Sequence, residues 1–146
     1  MKDISLPPFP STFLTMKPHN DTDPSTYAED FLHFLLEGNV KFAMKGVSKD
    51  ELLDATGLRV VPSVVEENMQ EFTRKVMTFV EKGVELIDSE VEGEYATVRF
   101  SIRWTGLMAD SFESKTFSGV ARIKMKRSPY EGWDVVQAIV PGWNAD

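Results

Sequence analysis
The sequence predicts an α+β fold in which N-terminal helices pack on one face of an antiparallel sheet. Two observations carry this. Apolar residues recur at helical spacing through the first half of the chain. From Gly83 onward the period changes to two, most cleanly in "GVELIDSEVEGEYATVRFSIRW". Helices first and a meander afterwards, with one apolar and one polar sheet face, is the α+β signature.

Residues 1–22 form a Pro-rich arm that carries Ile4, Leu6, Phe9, Phe13, Leu14 and Met16, spaced for extended structure laid on a surface. It reads either as a docked or frayed terminus or as a strap over a pocket or partner. A single domain over 23–146 follows it. Asp23 is a good N-cap and Pro24 a good first helical residue. Tyr27, Phe31, Phe34 and Leu35 then share one face, widened by Ala28, Leu32 and Leu36, and Gly38 ends the helix. "NVKFAMKGVS" predicts a short second helix, "SKDELLDATG" another helical turn or two, and "LRVVP" a short strand. Ser63 with Glu66 predicts a capping box opening a long helix. Val65, Met69, Phe72, Val76 and Phe79 or Val80 continue it to a stop at Gly83. Val65, Met69, Phe72 and Val76 are expected to face the sheet and to touch Val98, Phe100, Ile123 or Val135.

In the sheet, Ala96, Val98, Phe100, Ile102 and Trp104 alternate with Thr97, Arg99, Ser101 and Arg103. Glu92-Gly93-Glu94-Tyr95 is the preceding turn. A second hairpin alternates Phe117, Gly119, Ala121, Ile123 and Met125 with Ser118, Val120, Arg122, Lys124 and Lys126. "WDVVQAIV" closes the sheet.

Composition excludes several functions. The net charge of -7 is spread evenly: nine basic and thirteen acidic residues precede Gly83, seven and ten follow it. No basic block is present, which argues against nucleic acid and against an anionic membrane surface. With no Cys, disulfides, Cys-ligated zinc and thiol catalysis are excluded. His19 and His33 have no metal-ligand spacing, so no metal or organic cofactor is expected. His33 falls on the polar side of the first helix, between Glu29 and Glu37. No Gly-rich phosphate loop or nucleophile elbow appears. Pro7, Pro8 and Pro10 break any signal-peptide core, and no run is long enough to span a membrane, so a soluble, by default cytoplasmic, chain is expected.

The residues Gly38-Asn39-Val40, Glu92-Gly93-Glu94-Tyr95-Ala96-Thr97-Val98, and Trp133 with Val135 carry a resemblance. Over roughly 27–140 the chain resembles the nuclear transport factor 2-like superfamily, and within it small domains of unknown function. The resemblance implies a cystatin-like cone, with the helices on the concave face of a curved sheet. It also implies an apolar ligand pocket between sheet and helices. The candidates are Tyr27, Phe31, Phe72, Phe100, Trp104, Phe117 and Met125; plain core packing is the alternative reading of the same residues.

A non-catalytic binding or scaffold domain is the first functional reading. The alternative is a cofactor-independent isomerase, dehydratase or cyclase, the activities of the superfamily's ketosteroid isomerases, scytalone dehydratase and SnoaL-type cyclases. Such enzymes place Asp, His or Tyr in the pocket. Only Tyr27 and Asp30 offer themselves here, with a core Tyr beside a surface Asp as the plainer reading. On the polar sheet face, Arg99, Arg103, Arg122 and Lys124 are expected either to pair with Glu85 and Glu113 or to form a homodimer interface, with Arg99, Arg103 and Arg122 its core.

Overall fold
The computed structural model describes residues 23–145; the proline-rich arm lies outside the described residues. Helix α1 spans Pro24–Leu35. It starts where expected: Asp23 Oδ1 accepts the Ser25 amide at 3.0 Å and Pro24 occupies the first turn. Gly38, at φ +77°, turns the chain out of the helix, and the Asn39 amide returns to the Phe34 carbonyl at 2.9 Å. Asn39 then caps α2, Val40–Lys45, through the Phe42 amide.

The expected helical turns after Ser48 do not form. Asp54 Oδ1 accepts from the Thr56 amide (2.9 Å), the Thr56 hydroxyl (2.6 Å) and the Leu58 amide (3.0 Å). A short acidic side chain that takes local amides outcompetes a helix. "LRVVP" makes only an isolated bridge between Leu53 and Arg59.

Helix α3, Pro62–Lys75, differs from expectation at both ends. Val61 stands at the N-cap without a side-chain bond, so the Ser63–Glu66 box is not used. Pro62, with its fixed φ and no amide to satisfy, opens the helix instead. At the other end the helix stops at Lys75, and Gly83 lies in mid-strand. Strand β1 runs Val76–Glu92 and pairs with β2, Tyr95–Met108, along its whole length. Val76, Thr78, Val80 and Val84 are β-branched, and a full ladder of cross-strand bonds overrides the helical spacing that happens to continue to Phe79.

Strands β3, Ser114–Arg127, and β4, Trp133–Ile139, complete a four-stranded meander in the order β1-β2-β3-β4. Gly93, at φ +63°, supplies the tight turn of the first hairpin. Three register shifts in β1 bend the sheet around the helices. Alternation in β2 holds throughout: Ala96, Val98, Phe100, Ile102 and Trp104 are buried, whereas Arg99, Ser101 and Arg103 are exposed. Met69, Phe72 and Val76 are buried against this inner face and Val65 is half-buried. Helices on the concave side of a curved antiparallel sheet make this an α+β cone.

Candidate functional site
A cavity of about 330 Å³ opens between α3, the 47–60 loop, β4 and the C-terminal tail. Its floor is apolar: Phe31 from α1, Met69 and Phe72 from α3, Leu52 from the loop and Val135 from β4. The tail forms one wall. The Trp104 indole N–H donates to the Pro141 carbonyl at 2.8 Å, which anchors the chain over the sheet. Asn144 then accepts from the Val140 amide (2.8 Å) and donates to the Ala138 carbonyl (2.9 Å), closing a compact turn that holds Trp143 beside the cavity.

The opposite wall is the loop, fixed to the sheet at several points. The Ser48 and Leu53 amides donate to the Val135 and Val136 carbonyls, each at 2.9 Å. The Gln137 amide donates to the Asp54 carbonyl at 2.8 Å. The Tyr95 hydroxyl donates to both Glu51 oxygens (2.9 and 3.0 Å), and Lys126 Nζ lies 3.2 Å from the same carboxylate. The Tyr95 bond, aided by Lys126, lowers the Glu51 pKa against a smaller opposing effect of burial. A carboxylate lowered on folding stabilises the fold above its unfolded pKa and loses that contribution as pH falls through the folded value. Glu51→Gln should therefore be less stable than the parent at neutral pH. The gap should shrink through and below the ordinary carboxylate range, as read by urea denaturation in a pH series. A gap that stayed constant down to pH 2 would contradict this attachment.

Most polar groups on the cavity walls are already occupied. Asp54 and Thr56 bond to each other and to the loop, which lowers the Asp54 pKa, foremost through the Thr56 hydroxyl. Asn144 uses both ends of its amide, and Gln137 uses its NH₂. Asn68, Glu71 and Lys75, along the outer edge of α3, have no side-chain partner among the described residues. Among the described residues the apolar floor therefore contains no acid or base, and Asn68, Glu71 and Lys75 stand at the rim.

Of the seven residues expected to line a pocket, the structure brings Phe31 and Phe72 to this cavity. Phe100, Trp104 and Met125 are fully buried in the sheet's inner face and lie outside its lining. Phe117 stacks on Trp104, ring centroids 4.7 Å apart. Tyr27 packs its ring against Gly132, so closely that a Cβ there would fall 2.6 Å from the Tyr27 hydroxyl. Asp30 is exposed and does not reach the cavity. Leu52, Gln137, Trp143 and Asn144 were not foreseen from the sequence. The one signal available for them was a glutamine inside the apolar run "WDVVQAIV".

On the outer sheet face, Arg99 Nε donates to Asp88 Oδ1 at 3.0 Å. Asp88 takes the place expected of Glu85 because the bulge after Leu86 sets it opposite Arg99, while Glu85 faces Ser101. Glu113 lies in the turn before β3, beyond reach of that pairing. Arg122 is directly across from Arg99, and Arg103 lies between Gly83 and Ser118. His33 sits 3.4 Å from Glu29, whereas Glu37 is taken by Lys82. Among the described residues no three His, Cys, Asp or Glu side chains converge as a metal site, and no helix is long and apolar enough to cross a membrane.

Neither a protein-family model nor a curated protein matches this sequence. Solved structures do. A ketosteroid isomerase-like protein from Erwinia carotovora atroseptica superposes with a TM-score of 0.69 at 11% identity, covering 82% of this chain and 93% of that one. A nuclear transport factor 2-like superfamily protein from Salmonella enterica serovar Typhimurium gives 0.63 at 17% identity, covering 81% and 87%. The fold is that of the nuclear transport factor 2-like proteins. A further protein of this kind, of unknown function in nutrient uptake, from Rhodospirillum rubrum, gives 0.56 at 18% identity, covering 80% and 94%. Identities this low carry the fold and leave activity to be argued from the site.

Proposed function
We propose that this chain is a non-catalytic binding domain whose cavity accepts a small apolar ligand. The observation that supports it is the division of polarity: a cavity of ligand size whose apolar floor, among the described residues, holds no titratable group, under walls whose polar atoms are mostly satisfied internally. The enzymatic alternative needs a carboxylate or Tyr hydroxyl in the apolar part. Tyr27 against Gly132 and the exposed Asp30 give it no support. Ala138 lines the cavity and is 8% exposed. Ala138→Leu should fill the space, weaken binding of a naphthalene-type fluorescent probe at least about tenfold and leave Tm unchanged or higher. Unaltered probe affinity in that variant would refute the cavity as the binding site.

A second copy of the chain is proposed as the partner, meeting the outer sheet face that carries Arg99, Arg103 and Arg122. On the same face β1 contributes Glu85, Asp88 and Glu90, opposite Ser101, Arg99 and Thr97. An acidic edge beside a basic centre is self-complementary about a two-fold axis. Reversing both Arg99 and Arg103 to Glu should lower the solution mass from that of a dimer to 16.5 kDa without loss of helical or sheet signal. Parent protein that remains at 16.5 kDa by light scattering at high micromolar concentration would remove the interface.

A further inference from the structure
We infer that the free edge of β1, over residues 84–92, docks an extended protein segment that alternates basic and aliphatic residues. In the sheet order β1 pairs with β2 on one side and, among the described residues, with no strand on the other. The far edge of the sheet differs. There the Val135 amide donates to the Gly46 carbonyl, and the Ser48 and Leu53 amides donate to β4 carbonyls, so the 46–53 segment covers it. A bare edge presents unpaired N–H and C=O groups, a template for one further strand. None of residues 84–92 lines the cavity.

The side chains of this edge divide by face. Val84, Leu86, Ser89 and Val91 stand opposite Ile102, Phe100, Val98 and Ala96, the buried inner-face residues of β2. Leu86 and Val91 are nevertheless 48% and 46% exposed, so the helices leave this stretch half uncovered. Glu85, Asp88, Glu90 and Glu92 stand opposite Ser101, Arg99, Thr97 and Tyr95 on the outer face. Residues 84–92 include no base. Asp88 is paired with Arg99, whereas Glu85, Glu90 and Glu92 have no ion pair among the described residues.

Charges at a sheet edge ordinarily keep copies apart, and these acids do so. Two β1 edges meeting about a two-fold axis would set outer face beside outer face, acid beside acid. A strand of opposite charge meets no such repulsion. Its alternate side chains lie beside Asp88, Glu90 and Glu92, where Lys or Arg is complementary. The side chains between them lie on the face of Leu86 and Val91, where an aliphatic residue covers exposed apolar surface. Such a strand joins in the plane of the sheet, whereas a second copy on the outer face lies above that plane.

Three short capped peptides test this on the full chain. One alternates Lys and Val, one alternates Glu and Val, and one is the Lys–Val peptide with its backbone amides N-methylated. By calorimetric titration the Lys–Val peptide should bind, and the other two should bind at least about tenfold more weakly. Hydrogen exchange should show it protecting amides within 84–92 that exchange freely in its absence. Leu86→Ser with Val91→Ser, both at exposed positions, should weaken it about tenfold. Equal binding of the N-methylated peptide would mean adhesion by charge alone and overturn strand addition. So would a Lys–Val peptide that fails to bind. If every amide of 84–92 is already protected in the free protein, the edge is occupied and the inference falls. The occupant is then a second copy where light scattering gives a dimer, and the same chain where it gives 16.5 kDa.

Discussion
Phe72→Ala should destabilise the protein by about 3–5 kcal/mol, the range of buried Phe truncations. Phe72 is 6% exposed and sits edge-on to Trp104 at 5.5 Å, with Phe79 at 5.8 Å and Trp143 at 6.3 Å. The cost depends on how far the neighbours can collapse into the vacated space, and here they are restrained. Trp104 is tethered to the Pro141 carbonyl and stacked on Phe117, so its indole is not free to move toward α3. Because Phe72 also lines the cavity, its loss merges the new void with the existing one and widens the site. Urea unfolding should show a lower midpoint at unchanged slope. A loss under about 1 kcal/mol would mean that α3 does not dock on the sheet through this ring.

What the sequence revealed and what it concealed follow from the range of the interactions involved. The inner face of β2 was legible because burial acts on every second residue, and Ala96 to Trp104 satisfy that rule without exception. The start of α1 was legible because its cap lies within two residues of its own amide. The α3–β1 junction was not: Val76 and Phe79 fit a helical face as well as a strand, and only pairing with the distant β2 decides between them. The same distance hid the cavity. Its walls come from a loop ordered by Asp54 and a tail ordered by Asn144, both local devices whose placement is set by β4. Large aromatics marked the core, but Phe100, Trp104 and Met125 lie outside the cavity lining, and Trp104 supports it through its contact with Phe72.

Gly142→Ala tests that support from the opposite side. Gly142 adopts φ +91°, a region costly for any residue with a side chain, and a Cβ there would fall 2.5 Å from Trp104 Cζ2 and 2.8 Å from Phe117 Cγ. Backbone strain alone should cost about 1–2 kcal/mol, and a forced contact with held aromatic rings about 1–3 kcal/mol more. Gly93→Ala separates the two, because Gly93 also has positive φ, +63°, but open space where its Cβ would be. We expect Gly93→Ala to lose about 1–2 kcal/mol and Gly142→Ala about 3 kcal/mol or more. Lifting the tail relieves the clash, and it breaks the Trp104–Pro141 hydrogen bond and moves Trp143 from the cavity wall. Gly142→Ala should therefore also red-shift the tryptophan fluorescence and weaken ligand binding, whereas Gly93→Ala does neither. Equal losses in the two variants, with unchanged fluorescence, would show that the tail does not bear on Trp104 and does not shape the site.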